Sequence, residues 1–356
     1  MHPSFSLQIE KDCYQGEALL KRANRAPITN TESWIESVFS FLRDWLNNAE
    51  EVTAKTSGST GQPKLIHLKK ESMLASAKLT CDYFGLQPLD KALLCLSADY
   101  IAGKMMLVRA IERGLHLIAV SPQGCPLSGI HEKVKFAAMV PLQVERCIEE
   151  GCIDKTEQLL IGGAALTNRL LNSVQKSTTA CYISYGMTET MSHVALRRLN
   201  GSLASLLYEG LTGIRFSLDH RGCLFINTAP LGIESVQTND LCELQDEQHF
   251  KWLGRADFVI NSGGIKIIPE QIELLLSNEV SYPFIIAGIP HPLLGEQAVM
   301  IIEAESNDLL AAQLLKKANE VCPQYHSPKQ ILFVPQLTYT SSGKIDRAKT
   351  SKMFSS

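Results

Sequence analysis

Apolar residues recur along this chain with two different periods. Between residues 31 and 50, Trp34, Val38, Leu42, Trp45 and Leu46 fall three or four positions apart, which predicts an amphipathic helix with its apolar stripe on a core. Thr29-x-x-Glu32 reads as a capping box at its start. From residue 51 onward, short apolar runs alternate with helical stretches. Strands are predicted at 51–54, 65–68, 92–96, 115–120, 136–140, 158–161 and 180–184. Helices are predicted at 70–84, 103–113, 141–150 and 167–175, the third with a proline in its first turn. This alternation predicts α/β layers around a largely parallel sheet. Residues 1–28 show no regular period.

The pattern changes near residue 214. Short strands at 214–218, 223–226, 241–244 and 250–253, joined by Gly, Asp or His turns, predict a small antiparallel β-subdomain. A strand at 258–260, a helix at 269–276, strands at 284–289 and 298–303, a helix at 309–321 and a strand at 330–334 then predict a small α+β unit. The expected fold is therefore α/β. A large N-terminal domain of layered α/β sheets with a small β-subdomain spans 1–256, and a small mobile α+β C-terminal domain spans 257–356, with the boundary at Gly254-Arg255-Ala256-Asp257.

Composition narrows the class without identifying it. The chain has 356 residues, 45% hydrophobic and 20% charged, as ordinary globular proteins do. A formal net charge of −3 gives no reason to expect nucleic acid or an anionic membrane as partner. No apolar run approaches the roughly 18 residues a bilayer span needs, and the first residues show no basic-then-apolar leader, so a cytoplasmic location is expected. Ten cysteines are scattered without a CxxC or a zinc-type Cys/His spacing. They read as small buried hydrophobes in a reducing compartment.

One segment carries candidate chemistry by itself. Residues 56–64 read Thr-Ser-Gly-Ser-Thr-Gly-Gln-Pro-Lys between two predicted strands. Gly58 and Gly61 permit close backbone approach, the N–H groups and the hydroxyls of Thr56, Ser57, Ser59 and Thr60 supply donors, and Lys64 supplies charge, which together suit a polyphosphate. A polar hairpin loop is the alternative. It is not a Walker A loop, because Pro63 precedes Lys64 and Leu65 follows it. Further segments follow predicted strands or the boundary. Ile161-Gly162-Gly163-Ala164-Ala165 could border a flat ligand. Tyr185-Gly186-Met187-Thr188-Glu189 pairs a hydroxyl with a carboxylate, a combination suited to phosphate and Mg²⁺. Asp240 in Thr238-Asn239-Asp240 could accept from ribose hydroxyls. Arg255 and Asp257 lie at a candidate hinge, followed by Ser262-Gly263-Gly264. Ser342-Gly343-Lys344 could deliver a lysine to a site elsewhere. Alone, the 161–165, 185–189 and 238–240 segments read as turns and the last segment as a basic tail, while the boundary reads equally as a solvated linker.

Taken together and in order, these motifs resemble the adenylate-forming superfamily of acyl-CoA synthetases, peptide-synthetase adenylation domains and firefly-type luciferases. Residues 56–64 match its phosphate loop, 185–189 its Y-G-x-T-E motif, 238–240 its T-G-D with Asn239 in place of glycine, 254–273 its hinge and 342–344 its C-terminal lysine motif. The resemblance implies ATP, Mg²⁺ and coenzyme A as co-substrates and cofactors, with a small carboxylic acid as partner. It implies that the 56–64 loop grips phosphates, that Gly163, Ala164, Ala165 and Tyr185 with Gly186 border adenine, and that Thr188 bonds the α-phosphate. Glu189 would hold Mg²⁺, Asp240 and Arg255 the ribose, and Asp257 would be the hinge. Lys344 would stabilise charge during adenylation, and Gly263 and Gly264 would later meet the pantetheine arm. The chain is short for the superfamily, and compact members resemble o-succinylbenzoate–CoA ligases of menaquinone biosynthesis. Tyr100-x-x-Gly103 stands where that branch has H-x-x-G, with Arg109 after it. Arg109 could face a second carboxylate, or it could be a helix-surface side chain. Ser192 and His193 would line the acyl pocket. A ligase for another acid, or a non-catalytic adenylate-binding module, are the alternatives.

Overall fold

In the computed structural model of the chain the described residues are 1–25, 32–55, 65–164, 166–340 and 345–354. The N-terminal segment is regular after all. Strands β1 (Ser6–Ile9) and β2 (Asp12–Gln15) form a hairpin, followed by helix α1 (Gly16–Ala23). Phe5, Leu7 and Ile9 are buried, so a period of two was present, but a four-residue strand is too short to stand out. Helix α2 (Ser33–Leu46) is the predicted amphipathic helix, with Trp45 buried and Trp34 packed at the edge of the core. Strands β3 (Glu51–Lys55) and β4 (Leu65–Lys69) pair antiparallel, closing the hairpin at Lys55 and Leu65.

The α/β rhythm then appears as read: α3 (Lys70–Tyr83), β5 (Lys91–Leu94), α4 (Ile101–Arg113), β6 (His116–Ala119), β7 (Val134–Met139), α5 (Pro141–Glu149), β8 (Thr156–Ile161), α6 (Asn168–Val174) and β9 (Ala180–Gly186). Strands β10 (His193–Arg198), β11 (Tyr208–Gly210), β12 (Arg215–Leu218), β13 (Cys223–Asn227), β14 (Val236–Leu244) and β15 (His249–Arg255) complete a 13-stranded sheet. Strands β9, β8, β7, β5, β6 and β1 run parallel side by side. Both faces of this part are covered. Ala92, Leu94, Phe136 and Ala138 join the core beneath α3 and α4, while Leu93, Ala137 and Met139 join the one beneath α5 and α6. Continuous apolar runs are what a doubly covered parallel sheet requires. The β-rich region from β11 to β15 extends the same sheet antiparallel through β10.

A second sheet begins five residues after β15. Strands β16 (Ile260–Ser262), β17 (Ile265–Ile267), β18 (Phe284–His291), β19 (Gly295–Glu303) and β20 (Ile331–Val334) form it, with α7 (Pro269–Leu276) and α8 (Asp308–Val321) on one face and the short C-terminal α9 (Arg347–Lys352). The expected strand at 258–260 is instead a turn of 3₁₀ helix over Ala256–Phe258 that leads into β16. No helix among the described residues is long and apolar enough to cross a membrane.

Candidate active site

Because β5, β7, β8 and β9 are parallel, their C-terminal ends share one edge of the sheet, where open α/β sheets bind ligands. Tyr100 and Gly103 follow β5, Gly163 and Ala164 follow β8, and residues 185–189 end β9. Gly103 has a steric reason to be glycine. A Cβ there would lie 2.2 Å from the Ser97 carbonyl oxygen and 2.8 Å from that of Leu96, so α4 starts in contact with the chain leaving β5. Tyr100 is exposed at the N-cap of that helix. Gly163 adopts φ +89°, open to solvent beside Val140, and Ala164 is exposed next to it.

On one side of this edge the structure joins Tyr185, Asp240, Arg255 and Asp257. Asp240 is not in a turn, as its neighbours Thr238 and Asn239 suggest, but inside β14, directly opposite Arg255 on β15. Pairing with strands on both sides overrides the turn preference of Asn and Asp. Asp240 is buried. Its Oδ2 accepts from the Tyr185 hydroxyl at 2.7 Å, and Arg255 Nη1 lies 3.6 Å from Oδ1. Arg255 also donates to Asp257 through Nη2 at 2.6 Å and Nε at 3.2 Å. Burial, with the Asp240 charge second, drives the Tyr185 phenol far above its ordinary range, so it stays a neutral donor. Burial works against the Arg255 cation, but the hydrogen bond to Asp257 and the charges of Asp240 and Asp257 outweigh it and hold it above its ordinary value. Asn239, in place of the glycine of the resembling motif, donates to Asp257 Oδ1 at 3.1 Å and accepts from Arg221 at 3.2 Å.

A short turn connects this group to a second one. Thr188 and Glu189 occupy a 3₁₀ turn over Thr188–Thr190, with Thr188 half-buried and Glu189 exposed. Thr190 fixes the turn: its Oγ1 donates to the Ser192 carbonyl at 2.7 Å and accepts from the Met187 N–H at 3.0 Å. Met191 then takes φ +62°, a left-handed conformation that is costly for a side chain with a Cβ and clusters at functional sites. Gly186 faces His193, where a Cβ would meet the Ser192 carbonyl oxygen at 2.3 Å.

Below that turn, Ser192, His193 and Arg109 meet. The possibility of a surface position for Arg109 is excluded, since it is 2% exposed. Its Nη2 donates to Ser192 Oγ at 2.8 Å, and Ser192 Oγ lies 3.2 Å from His193 Nδ1. His193 Nε2 in turn lies 3.2 Å from Thr80 Oγ1 on α3. Arg109 Nε is buried without a partner. Burial pushes the guanidinium from 12.5 down to about 10. Burial and the Arg109 charge hold His193 well below its ordinary value, which makes it neutral.

The segment expected to be the hinge packs against the second sheet's first helix. A Cβ at Gly254 would lie 2.5 Å from Glu270 Oε2. Glu273 pairs with Arg347, which also donates to the Ile286 carbonyl at 3.3 Å. Gly263 and Gly264 form the two-residue turn between β16 and β17, with φ +59° and +86°, the double positive φ of a type I′ hairpin. Both glycines are exposed. Thr56, Ser57, Gly58, Ser59, Thr60, Gly61, Lys64, Ala165 and Lys344 lie outside the described residues. Just beyond Lys344, Ile345 bridges Tyr339, and Asp346 N–H donates to the Thr338 carbonyl at 2.7 Å.

Sequence reasoning overlooked Thr80, Thr190, Glu270, Glu273 and Arg347. Arg347 lies three residues beyond the C-terminal lysine motif and Glu273 at the end of the 254–273 segment. Thr80 had no signal, since only the fold brings α3 to residue 193.

Comparison with known proteins bears on this arrangement. Residues 55–208 match the AMP-binding enzyme family. The chain is 37% identical to an acyl-CoA synthetase (AMP-forming)/AMP-acid ligase II-like protein from Dyadobacter fermentans, over 95% of this chain and 98% of that one, with a TM-score of 0.64. It is 24% identical over 334 residues to a 2-succinylbenzoate–CoA ligase of Bacillus cereus, covering 84% of this chain and 69% of the relative. An o-succinylbenzoate CoA synthetase from Bacillus subtilis, solved with its acyl-adenylate intermediate, shares the fold at 20% identity and a TM-score of 0.71, over 83% of this chain and 68% of that one.

Proposed function

Since the chain belongs to the AMP-forming acyl-CoA synthetases of the AMP-binding enzyme family, we propose that it is an acid–CoA ligase whose acid is o-succinylbenzoate. The observation that carries the acid assignment is the buried Arg109, hydrogen-bonded to Ser192 immediately after the Thr188–Thr190 turn. A cation at the bottom of the acyl side suits an acid with a second carboxylate, because a bidentate guanidinium–carboxylate pair offsets the desolvation of both.

Two half-reactions follow from the chemistry of the substrates. A carboxylate oxygen attacks the α-phosphorus of ATP, and pyrophosphate leaves. The CoA sulfur then attacks the acyl carbon of the adenylate, its proton passes to solvent, and AMP leaves. Asp240 and Arg255 hold the ribose, while Tyr185, Gly186, Gly163, Ala164 and Ala165 border the adenine. Thr188 donates to the α-phosphate, and residues 56–64 hold the departing phosphates. The exposed Glu189 carboxylate is an oxygen donor of the type Mg²⁺ takes, adjacent to the Thr188 hydroxyl. Bound there, Mg²⁺ supplies charge neutralisation on the phosphates. Lys344 stabilises the charge that develops during adenylation. Residues 257–356 form a mobile domain that turns about Asp257, withdrawing Lys344 and presenting Gly263 and Gly264 to the pantetheine arm. Tyr100 and Gly103 line the mouth of the acyl pocket, with Ser192 and His193 on its wall. Reaction in the cytoplasm, where ATP and CoA are supplied, belongs to this reading.

The test is pyrophosphate release over a panel of acids with ATP, Mg²⁺ and CoA. The expected result is a preference for o-succinylbenzoate over monocarboxylic aromatic acids, and loss of adenylation in Lys344→Ala. A panel with no such preference overturns the acid assignment, and unchanged adenylation in Lys344→Ala overturns the role of that lysine.

A further inference from the structure

Three buried cysteines, two of them from the end of one helix, meet in the core beneath α5. Helix α5 ends in a Schellman motif: Gly151 takes φ +66°, the Cys152 N–H donates to the Cys147 carbonyl at 2.9 Å, and the Gly151 N–H donates to that of Ile148 at 3.0 Å. This ending folds one side chain back onto another four positions before the glycine, and here those two are Cys152 and Cys147. Such a contact is ordinary apolar packing at a helix end. The third thiol has no such explanation. Cys125 enters from the irregular stretch between β6 and β7, placing its Sγ 3.2 Å from that of Cys152 and 3.7 Å from that of Cys147. All three sulfurs lie within 4.8 Å of one another, and all three residues are buried. Glu150, exposed at the C-cap of α5, lies near enough to raise the Cys125 thiol further.

The triangle has the size of a metal site. With metal–sulfur bonds of about 2.3 Å, tetrahedral or trigonal geometry places sulfurs roughly 3.8 to 4.0 Å apart. Two of the separations, 3.2 and 3.7 Å, lie just below that range and all three are within 4.8 Å, so a central ion requires the Cys125 sulfur to move slightly away from the other two. We propose that Cys125, Cys147 and Cys152 form a binding site for one thiophilic divalent cation of the Zn²⁺ type, with three thiolates as ligands and the fourth position facing Glu150. Each thiol that coordinates releases its proton to solvent, up to three per ion. Burial pushes the Cys125 thiol up to about 11 and raises the Cys147 thiol as well, so these two are protonated without the ion. The bound ion fastens the stretch between β6 and β7 to α5, whose preceding residue Val140 packs 3.4 Å from the Cβ position of Gly163.

The test uses the full reduced chain, stripped with a chelator, titrated with Cd²⁺ in the ultraviolet and with Zn²⁺ by calorimetry. One ion per chain is expected, with a sulfur-to-cadmium charge-transfer band, a heat that depends on buffer ionisation, and a raised melting temperature. Cys147→Ser should weaken binding at least about 100-fold. Because a change at a buried position can disturb the fold, Cys125→Ala at the less deeply buried thiol provides the second variant, with circular dichroism confirming its fold and the same loss expected. The proposal is overturned by the absence of a saturating band, by a band that persists in folded Cys125→Ala (which assigns it to other thiols such as the exposed Cys13), or by equal thermal shifts in wild type and variants.

Discussion

Replacing Arg109 by methionine should make the protein more stable and less able to use its acid. The guanidinium is wholly buried, one of its nitrogens has no partner, and no ion pair to a carboxylate is found for it among the described residues. Burial lowers its pKa from 12.5 to about 10, and at about 1.4 kcal/mol per pH unit this corresponds to roughly 3 kcal/mol against the charged form. Arg109→Met keeps most of the volume, removes the charge and gives up the hydrogen bond to Ser192 Oγ, a bond to a charged group worth about 1.5–3 kcal/mol. Methionine also retains the apolar contacts of α4. The difference should leave a gain of about 1 kcal/mol in the substrate-free protein, in line with buried ions replaced by apolar residues.

Binding of the acid should move in the opposite direction. Removing one partner of a desolvated charge pair costs about 2–5 kcal/mol, or roughly 30-fold to several thousand-fold in kcat/KM. The loss should be confined to dicarboxylic acids, with a monocarboxylic aromatic acid changed by less than about threefold. Arg109→Lys should fall between, because an ammonium keeps the charge but not the planar fork. Thermal melting and pyrophosphate release on the two acids read both arms. Equal losses on both acids, or a melting temperature that falls, would refute the reasoning: Arg109 would then be a structural cation.

Three further outcomes follow. Gly103→Ala should lower stability by about 1–3 kcal/mol or more, because its Cβ would meet backbone at 2.2 Å and the start of α4 must move; chemical denaturation measures it. His193 is neutral in the fold, so below about pH 6.5 the unfolded chain takes up a proton that the folded one refuses, and stability should fall with pH by up to about 1.4 kcal/mol per unit until the depressed folded value is reached; His193→Asn should flatten this slope in urea melts across pH 5 to 7. Arg347→Ala should destabilise the second sheet by about 2–3 kcal/mol, because it leaves the half-buried Glu273 carboxylate without its counter-charge and with only the Ile286 N–H as donor, whereas the double variant Arg347→Met with Glu273→Leu should be close to wild type by hydrogen exchange over residues 260–334.

What the sequence made legible was set by the range of the forces involved. Strands β5, β7 and β8 were readable because a doubly covered sheet imposes apolar side chains on both faces, a signal carried by neighbouring residues. Strand β1 was not, because its four residues are too short a pattern to stand out and one of its two partners, β6, lies more than a hundred residues later. The same distinction separates the site residues. Motif residues such as Thr188, Glu189 and Gly163 lie in short segments that end strands, so order along the chain nearly fixes their place. Asp240 was read as a turn because Asn239 and Asp240 favour turns locally, and only β13 and β15 on either side make them a strand.

Arg109 shows why chemistry and folding pattern can disagree. On α4, Lys104, Arg109 and Glu112 look like a polar face, yet Lys104 and Arg109 are both buried. A helix at this depth would be more stable with apolar residues at such positions. The compensating groups lie far away in sequence: Ser192 is 83 residues from Arg109, and Thr80 is 113 from His193. The hydrogen bond to Ser192 satisfies only part of the guanidinium, whose Nε has no partner, so part of its desolvation remains uncompensated in the free protein. An anionic substrate seated there, as proposed, would remove that deficit on binding. A site that holds an under-paired cation therefore discriminates by what the ligand supplies, and an acid lacking the second carboxylate leaves the deficit in place. The position that least fits its helix is the one expected to set specificity.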